Sequence, residues 1–222
     1  MTAVDDNRVS LTESKGRTAY SAATLGFLCL LPVALLILAQ AFQIGAFLTV
    51  GSSLPASDSN LWASCASALA NGDESYNLAW CLRRPLTILA QTPFFVLAPG
   101  SMAAVILLQL VAVSAAFWWF LVTISRGLPV GRLGVMIVYV LGLFPVFWYG
   151  TYLGPEAPAL ALSFVSAGAV VRFMVSRRVA WGLLAAGNAI VVLQIRPGNF
   201  VLTGVLAIAV LVVTRAAGRR WL

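Results

Sequence analysis

Charged side chains are scarce in this chain of 222 residues, and histidine is absent. Only 9% of the residues are charged, whereas 61% are hydrophobic. An ordinary soluble domain has about 25% charged and about 45–50% apolar residues, so these proportions exclude a water-soluble globular domain. Without histidine, the chain has neither a Ser-His-Asp triad nor a histidine-ligated zinc site. The sequence also lacks a glycine-rich phosphate loop and a repeat of fixed period.

Apolar runs separated by short charged segments fill most of the chain. A bilayer core about 30 Å thick needs about 20 apolar residues for each crossing helix. We therefore predict an all-α fold, a polytopic transmembrane helical bundle with about six spans. The expected segments are a cytoplasmic tail at 1–21 and one transmembrane domain at 22–222, with spans at 22–50, 101–125, 131–150, 157–175, 179–195 and 199–214. The first run is too long for the apolar part of a signal peptide, so we interpret it as a retained anchor.

The positive charges are distributed unevenly between the segments that join the apolar runs. With a cytoplasmic N-terminus, eleven of the 14 Lys and Arg residues fall in inner segments, and only Arg83, Arg84 and Arg196 fall in outer ones. This bias follows the positive-inside rule and predicts a plasma (inner) membrane protein with both termini in the cytoplasm. Basic residues that bind nucleic acid cluster on one folded face with aromatics between them, so we expect no nucleic-acid partner.

The outer segment at 51–100 is expected to hold two juxtamembrane helices. In the first, apolar side chains recur at helical spacing between a start near Asp58 and an end at Asn71 and Gly72, which is typical of a helix lying in the membrane interface. The second, at 85–97, is apolar but too short to cross a bilayer with ease.

Two of the three cysteines, Cys65 and Cys81, share this outer segment. An oxidising compartment would permit them to pair, and the disulfide would close a loop of roughly 15 residues, worth about 3 kcal/mol. Two unpaired small apolar side chains are equally compatible with the sequence.

The order of polar residues in the outer segment resembles the first outer loop of the GT-C class of glycosyltransferases. Asp58 begins the interfacial helix, Gly72-Asp73 closes it, and Arg83-Arg84-Pro85-Leu86 starts the next helix. The pattern is similar to that of lipid A aminoarabinose transferases and protein O-mannosyltransferases. The resemblance implies that Asp58 is the catalytic carboxylate and that Arg83, with Arg84 beside it, contacts the donor phosphate.

Two later segments extend the resemblance, which covers about residues 22–214. Glu156 stands at the head of a helix after the second outer turn, as does an acidic residue in the family, and a glycine-bearing span ends in Arg196-Pro197. The resemblance implies that Arg196 is a second phosphate contact and that Glu156 assists. It also implies a possible divalent cation held by Asp58 and Glu156. The sequence departs from the family pattern in two ways. Its first loop lacks a second adjacent acid, and only about six spans are present.

Each of these residues also has a purely structural interpretation. Aspartate before a helix is an ordinary N-cap, and a glutamate in a first turn is favoured by the helix dipole. The pair Arg83-Arg84 is also suited to binding lipid headgroups.

Three functional hypotheses follow, each with membrane lipid as a partner. The first is an enzyme that transfers a sugar from a polyprenyl-phosphate-linked donor to an extracytoplasmic acceptor. The second is a non-catalytic truncated relative, or a subunit that works with a second membrane chain. The third is a transporter of the lipid-linked sugar, which calls for ionisable groups at the bilayer midplane. Only Gln109 and Asn188 lie deep within the spans, and neither is charged.

Overall fold

The computed structural model describes residues 20–41, 58–73, 81–150 and 154–195. Every regular element in these ranges is an α-helix, which confirms the all-α prediction for this part of the chain. The helices are α1 (Ala22–Cys29), α2 (Leu31–Ala41), α3 (Asp58–Asn71), α4 (Pro85–Leu97), α5 (Met102–Gly127), α6 (Arg132–Gly150), α7 (Glu156–Ser176) and α8 (Val179–Ile195).

Three of these helices, α5, α6 and α7, are long and apolar enough to cross a membrane. They contain 26, 19 and 21 residues, and many of their apolar side chains face outward rather than into the protein. The apolar helices before α5, and α8 with its 17 residues, are shorter. The described part of the chain is therefore a helical membrane bundle. The predicted number of six spans is not established, and the predicted span at 199–214 lies outside the described residues.

Helices α5 and α7 run in the same direction and form the centre of the bundle. The ring of Phe164 lies 4.8 Å from that of Phe117 and 5.8 Å from that of Phe120, measured between centroids. Gly168 is held against the ring of Trp119, so a larger residue there would collide with the indole. Small residues bring membrane helices close together in this way because lipid supplies no hydrophobic drive for their association.

Helices α6 and α8 pack on this pair in the opposite direction. Gly142 of α6 abuts Phe117, and a Cβ at Gly150 would lie 2.6 Å from Leu110 Cδ1. Helix α8 follows α7 after only two residues, and the Ser166 hydroxyl of α7 donates to the Ala185 carbonyl at 2.9 Å. The four helices therefore alternate in direction across the bundle.

The first apolar run, predicted as one span over 22–50, is divided near Pro32 into two helices. Helix α1 ends at Cys29 and α2 begins at Leu31, and residues 42–50 lie outside the described part. The interruption precedes Pro32, which lacks the N–H that would bond to the Leu28 carbonyl one turn earlier. The Tyr139 hydroxyl of α6 donates to that carbonyl at 2.9 Å instead. This hydrogen bond thus links the first apolar run to α6.

The two ends of the bundle differ in the elements and the side chains that form them. We call the end with α3, the start of α4 and the end of α8 the disulfide end. The opposite end, where α5 and α7 finish and α6 and α8 begin, we call the basic end. Five of the seven arginines in the described ranges belong to the basic end: Arg126, Arg132, Arg172, Arg177 and Arg178.

Candidate functional site

Helix α3 lies across the disulfide end and is fixed there by burial and by a covalent bond. Its buried face includes Trp62, Cys65 and Ala66, and it ends at Asn71 before Gly72, whose φ of 68° suits glycine. Cys65 is joined to Cys81 in a disulfide, with the Cα atoms 5.7 Å apart. The predicted interfacial helix is confirmed in its bounds, and the disulfide decides between the two alternatives left open by the sequence.

The arginine pair lies just before α4. Pro85 occupies the first position of that helix, where a missing N–H costs nothing, and Arg84 is the residue that precedes it. The guanidinium of Arg84 lies over the ring of Trp62, 5.7 Å from its centroid, so a cation–π contact links α3 to the start of α4. Arg83 is exposed. One of the two predicted phosphate contacts is thereby oriented by an aromatic ring and the other faces the surroundings.

Glu156 begins α7 and is buried, with 5% of its surface exposed. Its level along the bundle follows from the contact between Ser166 and Ala185. Glu156 is about ten residues before Ser166, and Ile195 is about ten after Ala185, so antiparallel α7 and α8 carry both to the same level. The Thr87 hydroxyl donates to the Ile195 carbonyl at 3.1 Å, which brings the start of α4 to this level too.

Most of the predicted site residues belong to the disulfide end. Asp58 is the first residue of α3, as predicted. Arg83, Arg84 and Glu156 lie on elements that meet at the disulfide end. Arg196 follows Ile195 in the sequence and lies outside the described residues. The folded chain gathers the described candidates at one end of the bundle.

A cavity of about 360 Å³ lies between α3 and the start of α4. Its walls are mainly apolar, with Leu69, Leu82 and Ile88 among them, and Asp73 supplies a carboxylate. Arg83, Arg84 and Glu156 are not part of the lining. Asp73 was not among the predicted site residues. Its position directly after Gly72, at the close of the interfacial helix, was the signal in the sequence that pointed to it.

Two glutamines are buried in the half of the bundle nearer the disulfide end. Gln91 of α4 and Gln109 of α5 are fully buried, and their amide N and O atoms have no hydrogen-bond partner among the described residues. A buried amide usually finds such partners because its desolvation is costly. These side chains offer donors and acceptors to any hydroxyl group or water molecule that reaches them. The sequence had marked Gln109 only as a deep polar residue.

The described residues contain no cluster of three or more His, Cys, Asp or Glu side chains placed to hold a metal ion. The predicted cation ligands, Asp58 and Glu156, begin two different helices, α3 and α7.

Comparison with known proteins adds no further constraint: no protein family, no curated protein and no solved structure matches this chain.

Proposed function

We propose that this chain is a membrane glycosyltransferase-like protein that transfers a sugar from a polyprenyl-phosphate donor to an extracytoplasmic acceptor. One observation supports the proposal above the others. The helix that begins with Asp58, the Arg83-Arg84 pair, the head of α7 with Glu156 and the end of α8 before Arg196 all belong to the same end of the bundle. Residues far apart in the sequence thus share one region.

The reaction would use these groups in a simple order. Asp58 accepts the proton of the acceptor hydroxyl, and the oxygen attacks the anomeric carbon of the sugar. The bond between that carbon and the phosphate oxygen breaks, and polyprenyl phosphate leaves with the electron pair. Arg83 and Arg84 stabilise the negative charge that develops on the departing phosphate. The contact with Trp62 limits the positions open to the Arg84 guanidinium.

Two further residues complete the proposed site. Arg196 is placed as a second phosphate contact. Ile195, the residue before it, accepts a hydrogen bond from the start of α4, which directly follows the Arg83-Arg84 pair. Glu156 is an auxiliary acid or, together with Asp58, a ligand for a divalent cation. Its place in the first turn of α7 gives its carboxylate the favourable field of the helix dipole.

The disulfide end is the extracytoplasmic side in this proposal. The Cys65–Cys81 bond requires an oxidising compartment, and five arginines lie at the basic end. The membrane is then the plasma membrane, with both termini in the cytoplasm.

The proposal is tested by reconstituting the full chain in lipid nanodiscs with labelled polyprenyl-phosphate sugars and an envelope extract as the source of acceptor. The measured product is polyprenyl phosphate, which is released when the sugar is transferred to any acceptor. Asp58→Asn is expected to lower the rate by about 100-fold or more, because general bases contribute about 10² to 10⁴. Asparagine has nearly the same size and shape as aspartate, so the change removes the charge and the basic oxygen with little effect on packing.

Asp6→Asn, a change of the same kind in the N-terminal tail, is the matched control and is expected to keep full activity. Equal turnover by the Asp58→Asn variant and the wild type would remove Asp58 from the mechanism. A chain that releases no polyprenyl phosphate from any hexosyl or pentosyl donor would contradict the enzymatic role.

The apolar cavity beside α3 favours a second candidate function. Because Arg83, Arg84 and Glu156 do not line it, this cavity could hold an apolar group with no chemistry taking place there. The chain would then be a non-catalytic subunit that positions a lipid-linked substrate for a second membrane protein. Stoichiometric copurification with another polytopic chain, together with no turnover by this chain alone, is the result expected in that case.

A further inference from the structure

A second cavity, of about 180 Å³, lies at the basic end, far from the proposed reaction site. It is formed where the last turns of α5 and α7 run side by side. Its lining consists of Thr123, Arg126, Gly127, Val171, Arg172 and Val175. The walls therefore combine two guanidinium groups with two apolar side chains.

The close approach of the two helices depends on Gly127. A Cβ at this position would lie 3.1 Å from Val171 Cγ1 and 3.3 Å from Val175 Cγ2, which is tighter than ordinary van der Waals contact. The Thr123 hydroxyl donates to the Trp119 carbonyl at 2.8 Å, so its oxygen remains able to accept a hydrogen bond from a bound molecule. The cavity thus offers two cations and one acceptor.

Both arginines have surroundings that favour a positive charge. The guanidinium of Arg172 lies 5.6 Å from the ring centroid of Trp181, and this ring lies 6.3 Å from that of Trp119. Arg126 is in the last turn of α5, where the negative end of the helix dipole favours a cation. Each of the two helices thus contributes one arginine to the cavity lining.

The charge of this cavity is not balanced by a carboxylate from the described ranges. The acidic residues of those ranges are Asp58, Asp73 and Glu156, and all three belong to the disulfide end. Arg126 and Arg172 therefore give the cavity a positive charge, which attracts an anionic ligand.

We propose that the cavity binds the phosphate group of an anionic membrane phospholipid whose headgroup carries a hydroxyl. Arg126 and Arg172 donate to the phosphate oxygens, and the Thr123 oxygen accepts from the headgroup hydroxyl. Val171 and Val175 contact the apolar part of the lipid next to the phosphate. A lipid is favoured over free phosphate because α5 and α7 are helices that can cross a membrane and the cavity lies at their ends.

The full chain in nanodiscs tests this site. The discs contain phosphatidylcholine and a minor fraction of spin-labelled phosphatidylglycerol, and the measurement is the immobilised fraction of the labelled lipid. Each basic side chain near a membrane surface contributes about 1 kcal/mol, or about fivefold in affinity. Arg126→Gln with Arg172→Gln is therefore expected to lower the preference for phosphatidylglycerol over labelled phosphatidylcholine by roughly 30-fold.

Arg177→Gln with Arg178→Gln is the matched control, because it removes the same charge from the same end but outside the cavity lining. It is expected to lower the preference by less than about threefold, since neither side chain lines the cavity. An equal loss from both double variants would show general surface attraction and overturn the proposal.

Val175→Phe is a second test of the cavity, which does not depend on the folding of the double arginine variant. It fills the cavity without a change of charge at a position that is 48% exposed, and it is expected to abolish the preference as well. Competition by inorganic phosphate is the final measurement. If it displaces phosphatidylglycerol, or if Val175→Phe leaves the preference intact, the cavity is not a lipid site.

Discussion

At the disulfide end the chain is held by a covalent bond and a cation–π contact, whereas at the basic end it is held by helix packing and a turn of two residues. The first end joins α3, which precedes the bundle, to α4 through Cys65 and Cys81. The second end reverses the chain between α7 and α8 at Arg177 and Arg178. A segment outside the bundle needs a crosslink to stay in place, while a tight turn between packed helices does not.

The difference also separates the two proposed roles. Carboxylate and arginine occur together at the disulfide end, as bond-breaking chemistry requires. At the basic end Arg126 and Arg172 line a cavity whose lining contains no acidic side chain, which suits the binding of an anion. The alternation of helix direction keeps these two sets of residues apart.

Breaking the disulfide is the change with the largest expected effect on the comparison. Cys65→Ser with Cys81→Ser opens a connection of 16 residues and is expected to lower the free energy of unfolding by about 3 kcal/mol. Thermal unfolding in detergent, with and without reductant, measures this loss. Reductant is expected to destabilise the wild type and to leave the double variant unchanged.

Cys29→Ala is the control for that experiment, because Cys29 is buried but forms no disulfide. Phosphatidylglycerol preference at the basic end is expected to survive the loss of the disulfide. If reductant leaves the unfolding temperature of the wild type unchanged, and this temperature equals that of the double variant, the stabilising role of the bond is contradicted.

The contact between Tyr139 and Leu28 tests how the middle of the bundle joins the two ends. Tyr139→Phe leaves the Leu28 carbonyl without the hydroxyl that replaces the N–H missing at Pro32, and is expected to cost about 1–3 kcal/mol. In a Pro32→Ala background the restored N–H bonds to that carbonyl, so the same change is expected to cost much less. A double-mutant cycle of unfolding free energies measures the coupling, and additive losses would contradict this account.

The smallest expected effect concerns the turn at the basic end. Arg177 has a φ of 56°, in the left-handed region that favours glycine. Arg177→Gly is therefore expected to be more stable than Arg177→Ala by about 1 kcal/mol, since both variants lose the same side-chain contacts. At Arg178, which has no positive φ, alanine is expected to match or exceed glycine. Alanine exceeding glycine at both positions in thermal unfolding would rule out backbone strain at Arg177.

The helix bounds were largely predictable from the sequence. The predicted helices at 85–97 and 179–195 coincide with α4 and α8, and the prediction of 101–125 differs from α5 by two residues at its end. Long apolar runs bounded by glycine, proline or arginine leave few alternatives. Pro32 marks the position of the break in the sequence, whereas the hydrogen bond that Leu28 accepts there from Tyr139, more than 100 residues away, could not be predicted.

The candidate site was predictable in its residue types but not in its arrangement. The order of Asp58, Arg83 and Glu156 pointed to one functional end, yet the sequence could not show that the cavity beside α3 includes Asp73 rather than the arginines. The stacking of Arg84 on Trp62 and the cavity at the basic end also depend on how separate helices pack. Local sequence patterns do not specify such contacts.

In this interpretation the two ends of the bundle face opposite sides of the membrane. Single cysteines at two exposed positions, Pro99→Cys near the start of α5 and Arg178→Cys at the basic end, test it with a membrane-impermeant maleimide. Background labelling is expected to be low because Cys29 is buried and Cys65 and Cys81 are bonded. In intact cells Pro99→Cys is expected to be labelled, and Arg178→Cys only after permeabilisation. Labelling of both positions from the same side would contradict the account.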